Sequence, residues 1–299
     1  MKMHKVIQKL GCLLLVCGSA HAASPPKNAP DRNITGFEAA DETQPLWEFG
    51  VGGGVGEVPN YPASSERNFI ALAAPYIIYR GDVFRLGGGG GARAVVAEDD
   101  RWELDISVGG AFAADTDENS ARAGMPELDY LLELGPQVVY LVHQTRNNQG
   151  ATGRLNLRLQ ARSVISTDFR SFEHQGYLFE PELQWQQRGY WGENTAMTVR
   201  LSSTFASEDL HDYFYQVDAA FVTDIRPEYD ARSGYLGSEL SVAFSFQLSD
   251  NIRAFLGGTV RNHSGAANEN SPLFERDTTY SLAAGFVWRI HQSEAKASF

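Results

Sequence analysis

Arg154-Leu155-Asn156-Leu157-Arg158-Leu159-Gln160-Ala161-Arg162 alternates strictly between polar and apolar side chains. Successive side chains of a strand point to opposite faces, so Leu155, Leu157, Leu159 and Ala161 share one face and the arginines the other. The pattern recurs on both sides. Trp102, Leu104, Ile106 and Val108 alternate with Glu103, Asp105, Ser107 and Gly109. Phe179, Pro181, Leu183 and Trp185 alternate with Glu180, Glu182, Gln184 and Gln186, and Leu240 to Leu248 and Tyr280 to Ile290 repeat the theme. The alternating segments commonly reach about ten residues, the length that crosses a bilayer, where strands of soluble proteins average about five or six. Aromatic residues gather near segment ends (Trp47, Tyr76, Tyr79, Trp102, Tyr140, Tyr190, Trp191), as in interfacial girdles. No long segment has helical periodicity. The expected fold is all-β: a transmembrane antiparallel up-and-down barrel of about twelve strands.

The organisation follows the same signals. Lys2, Lys5 and Lys9, the apolar stretch Leu10 to Val16 and Ala20-His21-Ala22 read as a cleavable signal peptide over 1–22. A lipoprotein reading is weaker, because Val16 before Cys17 is not small. Residues 23–45 carry four prolines and read as a flexible periplasmic segment. The barrel is expected over 46–290, followed by a tail over 291–299. Gly81-Asp82 and Ser249-Asp250-Asn251 read as tight turns, and 57–67, 115–127, 222–233 and 264–276 as longer polar connections.

Composition narrows the function. Both cysteines lie in the signal segment, so the remaining chain can form neither a disulfide nor a thiolate metal site. The net charge of −12 argues against a nucleic-acid partner. Gly87 to Gly91 lacks the Gly-Lys-Ser/Thr ending of a phosphate loop and reads as a sharp bend or close approach in a strand. Asp168, Ser171 and His174, and His263 with Ser264, match no nucleophile motif. No His/Asp/Glu group has metal-ligand spacing. No catalytic, metal or cofactor residue is assigned.

Several segments resemble the MipA/OmpV family of Gram-negative bacteria. Pro59-Asn60-Tyr61-Pro62-Ala63-Ser64 is similar to its Pro-x-Tyr-x-Gly-Ser loop, with Ala63 in place of the usual Gly. Pro75-Tyr76-Ile77-Ile78-Tyr79-Arg80, Ala123-Gly124-Met125-Pro126-Glu127-Leu128-Asp129, Pro227-Glu228-Tyr229-Asp230-Ala231 and Ser271-Pro272-Leu273 resemble later family segments in the same order. The resemblance implies an outer-membrane scaffold that brings a lytic transglycosylase together with a penicillin-binding protein. A small-solute channel is the alternative reading, with an adhesin or an outer-membrane lipid hydrolase weaker. Outer-membrane lipid is the other expected partner.

Two groups of candidate residues follow. If the apolar face meets lipid, Glu103, Asp105, Asp129, Glu133, Arg154, Arg158, Arg162, Glu180 and Glu182 face the lumen, with the arginine strand between acidic strands. Such a set either lines a selective pore or neutralises the lumen as a salt-bridge ladder. In the connection 115–127, Asp115, Asp117, Glu118, Gly124, Met125 and Pro126 are candidates for docking a cell-wall enzyme. Strand parity puts that loop at the periplasmic end, unless the strands around the glycine run divide differently.

Overall fold

A computed structural model describes residues 32–38, 42–87, 91–111, 113, 121–146, 151–189 and 191–298. Twelve antiparallel strands close into a barrel. They are β1 (Trp47–Pro59), β2 (Arg67–Arg80), β3 (Phe84–Leu86), β4 (Ala92–Glu98), β5 (Trp102–Ala111), β6 (Tyr130–Arg146), β7 (Thr152–Thr167), β8 (Phe172–Arg188), β9 (Thr195–Ala206), β10 (Gly234–Ser249), β11 (Ile252–Asn262) and β12 (Thr278–Gln292). Among the described residues one α-helix, α1 (Glu208–Tyr215), and a 3-10 turn at Ala219–Phe221 lie in the β9–β10 connection.

The burial pattern is inverted relative to a soluble protein. Leu132, Leu134, Leu159, Leu183, Leu201 and Phe286 are exposed, whereas Arg85, Arg154, Arg253 and Glu103 are fully buried. Hydrocarbon is as good a solvent for leucine as a protein core is, so the outward face needs no cover. The polar alternates must then find partners inside. Trp47, Tyr79, Trp102 and Tyr140 ring the short-turn end, with Trp102 directly opposite Tyr140. Tyr76, placed by its sequence with the girdle, instead faces inward and donates to Glu48 Oε2 at 3.4 Å.

Gly87 and Gly91, the two ends of the glycine run, flank a hairpin connection between β3 and β4. Gly87 and Gly91 adopt φ of +73° and +71°, which glycine alone reaches without strain, and Gly87 N–H donates to Gly91 O at 2.8 Å. Gly88 to Gly90 lie outside the described residues. The short strands β3 and β4 flank this tip, so the run ends one strand and starts another. That changes the parity of everything after it. The β5–β6 connection therefore lies at the end opposite Gly81-Asp82, Asp250-Asn251, the start of β1 and the end of β12, and the expectation that it shares their end is overturned.

Candidate functional site: a lumen closed at both ends

Along β7 the inward arginines form a column of guanidinium groups, and neighbouring strands meet Arg158 and Arg162. Arg162 Nη1 lies 3.0 Å from Glu133 Oε2, and its Nη2 donates to Ser107 Oγ at 3.2 Å. Arg158 approaches Glu182 at 3.5 Å and donates to Gln137 Oε1 at 2.9 Å. The Gln137 amide in turn donates to Asp105 Oδ2 at 2.8 Å. Arg154 Nη1 donates to the main-chain oxygen of Arg32 at 3.1 Å. Glu180 accepts from Gln160 and from Thr204 Oγ1, the latter at 3.0 Å. Glu103 belongs to a different cluster, held by Arg85 at 2.6 Å and Arg93 at 2.9 Å. Asp129 sits outside the strands at the loop-end rim, where burial and then Asp168 and Glu173 hold its carboxyl above the usual range.

Arg85, Arg93, Arg80, Glu48, Arg253 and Arg289 also belong to the lumen charge pattern and were not singled out from the sequence. Arg85 bridges Glu98 and Glu103, while Arg80 and Arg289 share Glu48. Arg85 and Arg93 sit on the two short strands, where there is too little alternation to reveal a face. Buried pairs of this kind balance charge more than they add stability, since desolvation offsets most of the attraction.

At the short-turn end, residues 32–38 cross the lumen. Arg188 Nη1 donates to Gly36 O at 2.7 Å and its Nη2 to Phe37 O at 3.1 Å. Ser245 Oγ donates to Thr35 O at 3.2 Å, and Arg289 pairs with Glu38. With Arg154 on Arg32, the segment is tied to β7, β8, β10 and β12. Ile34 is only 2% exposed. Composition reads this stretch as loosely attached, but the tethers come from the barrel and grip its backbone. The tail folds back beside it: Ala297 N–H donates to Gln44 O at 2.8 Å and Leu46 N–H to Ala295 O at 2.8 Å.

At the loop end four connections pack into a cap. Tyr61, Leu128, Leu210, Phe214, Tyr215 and Leu273 form its apolar core. Tyr215 Oη donates to Pro62 O at 2.9 Å and Tyr61 Oη to Leu273 O at 2.8 Å, so two loops are pinned by buried phenols. Burial pushes both hydroxyls well above their ordinary pKa. Arg122 Nη1 donates to Phe214 O at 2.9 Å, and Arg226 Nη1 to Ala121 O and Ala123 O. Met125 packs against this core, Gly124 adopts φ of +77°, and Pro126 is exposed. Asp115, Asp117 and Glu118 lie outside the described residues.

His263 is fully buried in the cap. Ala63 N–H donates to its Nε2 at 3.2 Å, which leaves Nδ1–H to donate to Leu236 O at 3.1 Å. Both nitrogens are engaged, and Thr279 Oγ1 also lies 3.1 Å from Nε2, a hydroxyl buried with the ring. Asp168 accepts from Ser171 N–H and Oγ in an exposed turn, and His174 packs edge-on against Tyr177 instead of joining them.

Between plug and cap lies a cavity of about 460 Å³, roofed by Tyr61, Leu210 and Phe214 and reaching Glu133, Glu180 and Glu239. Among the described residues no group of His, Cys, Asp and Glu could hold a metal ion.

A twelve-stranded barrel with an apolar outside and a charged inside defines an outer-membrane β-barrel. The chain belongs to the MipA family: the model for "MltA-interacting protein MipA" matches residues 51–290. No curated protein sequence matches it. Among solved structures it is similar to the NanC porin (7% identity, TM-score 0.37, covering 81% of this chain and 100% of that one). It is also similar to an outer-membrane channel from Pseudomonas putida F1 (13% identity, TM-score 0.35, 85% and 99%) and to the CymD monoaromatic hydrocarbon channel (10%, 0.32, 83% and 90%).

Proposed function

We propose that this protein is an outer-membrane scaffold, exported by a signal peptide over 1–22. Its short-turn end faces the periplasm and docks a peptidoglycan-remodelling enzyme: a lytic transglycosylase, as the family's name indicates, with a penicillin-binding protein as the second client. The observation that carries the reading is the plug. Residues 32–38 occupy the lumen and are held from four strands, which suits a platform better than an open pore. The plug, the tail residues 293–298 and the turn at Asp250 together make a continuous periplasmic face.

The test uses the mature barrel in nanodiscs with a purified membrane-bound lytic transglycosylase. Saturable binding is expected, and it is lost when residues 23–44 are deleted from a barrel that still shifts on heating. Steady open-channel conductance in planar bilayers by the intact chain, with no enzyme binding, would establish the small-solute channel instead.

A further inference from the structure

The guanidinium groups of the lumen fall into two kinds. Arg162, Arg261 and Arg289 each meet a carboxylate, from Glu133, Glu239 and Glu38. Arg188 of β8 and Arg253 of β11 are buried, at 8% and 1% exposed, yet among the described residues they are held by neutral acceptors. Arg188 takes the main-chain oxygens of Ile34, Gly36 and Phe37. Arg253 takes Gln247 Oε1 at 3.2 Å and Ser245 Oγ at 3.1 Å, and its buried Nε–H meets no acceptor among the described residues.

The two groups belong to one site. Ser245 Oγ, which accepts from Arg253, donates to Thr35 O at 3.2 Å. Thr35 lies between Ile34 and Gly36, whose oxygens Arg188 holds. The two like charges are close enough to repel each other. Taking a guanidinium out of water is costly unless a counter-charge comes with it. A carboxylate offers a full charge and two oxygens that match the planar fork of a guanidinium. A main-chain carbonyl offers a partial charge and one oxygen.

We propose that Arg188, Arg253 and Ser245 form a carboxylate-binding site at the short-turn mouth, in which the main-chain oxygens of 34–37 stand in for the ligand, and that an acidic peptide displaces the plug there. One carboxylate takes the place of the Gly36 and Phe37 oxygens on Arg188. A second carboxylate of the same peptide sits on Arg253 and frees Ser245 from Thr35. A peptide is the ligand because the resting occupant is one: its oxygens, on successive residues, already span the two cations. The inference rests on the scaffold reading only for the side from which the peptide comes, the periplasm.

The test uses the chain from residue 23 in nanodiscs with Ile34→Cys, a single thiol in an otherwise cysteine-free chain. Ile34 is 2% exposed, so the thiol should react slowly with a maleimide while the plug is seated. Hexaglutamate should speed labelling about tenfold or more. Hexalysine, hexaglutamine and sodium chloride of matched ionic strength should not. Arg253→Gln leaves the plug's contacts to Arg188 intact and should weaken hexaglutamate on the order of tenfold, the loss of one charge-assisted hydrogen bond. If that variant shows no heat-modifiable folded band, Arg253→Lys, which keeps the charge and loses the fork, should weaken it to a lesser degree. Equal acceleration by salt or hexalysine, or an undiminished response in the Arg253 variant, overturns the proposal. Slow labelling that hexaglutamate does not change overturns it and leaves the scaffold reading standing. Fast labelling before any peptide is added shows an unseated plug and overturns both.

Discussion

The plug and the cap close the same lumen with opposite chemistry. The cap is a small hydrophobic core, with Tyr215, Leu273 and Val217 entirely buried and four connections converging on it. The plug buries only Ile34 and Phe37 among apolar side chains, and is held by guanidinium groups donating to its carbonyls. A core of interlocked aromatics opens only when its packing fails. A backbone held by a few charged donors can be released one tether at a time. By this contrast the cap is the fixed closure and the plug the detachable one, which suits the docking role proposed for the short-turn end.

The largest effect that would break this contrast is in the cap. Tyr215→Ala removes a fully buried ring and its hydrogen bond to Pro62, and should cost about 3–5 kcal/mol, as large-to-small aromatic substitutions do. Limited proteolysis should then cut within 207–233 while the barrel still migrates as a folded band. Resistance equal to the wild type would show that the cap does not depend on its core.

Next comes the plug. Arg188→Ala removes donors to Ile34, Gly36 and Phe37. Hydrogen bonds to charged groups contribute about 1.5–3 kcal/mol each, less when water replaces the lost donor. Single-channel recording should show openings absent from the wild type, with cap proteolysis unchanged. A silent bilayer would mean the plug is held by more than these tethers.

How much of this was legible follows from where each constraint acts. Lipid imposes a period of two on every long strand, so the inward placement of Glu103, Arg158 and Glu182 could be read directly from alternation. β3 has three residues and no period to read, and the adjoining glycines resemble a bent strand as much as a turn. The error in loop side came from that one hairpin. The plug was illegible for a different reason: its partners bind main-chain oxygens, which every sequence has. Helix α1 has eight residues, too few for periodicity to stand out in a long connection.

A smaller effect sharpens the account of the cap. Asp212 lies on α1 with its carboxyl raised to about 6 by burial, then by Glu208, Asp209, Asp230 and Asp218. A carboxyl whose folded pKa is raised favours the folded state when protonated. That stability is present below the unfolded value near 4 and is lost as pH rises through about 6. Asp212→Asn should therefore make the cap more protease-resistant than the wild type at pH 8, and equal to it near pH 4. An unchanged difference across that range would remove Asp212 from the account.

The smallest expected effect is at Ala63, the position where the family-like pattern carries glycine. Ala63 is fully buried with φ of +64°, a left-handed conformation. Its carbonyl accepts from Glu275 N–H at 3.0 Å and Arg276 N–H at 2.9 Å, so the surrounding cap holds it there. Ala63→Gly relieves roughly 1–2 kcal/mol of left-handed strain. It also loses a buried methyl, about 0.8 kcal/mol, and gains unfolded-chain freedom that costs about 0.5–1 kcal/mol. These terms nearly cancel, so protease resistance of the cap should shift by no more than about 0.5 kcal/mol. A clear gain would mean that the cap stores strain which the methyl does not offset. A loss above about 1 kcal/mol would mean that the methyl packs the His263 pocket more tightly than its size implies.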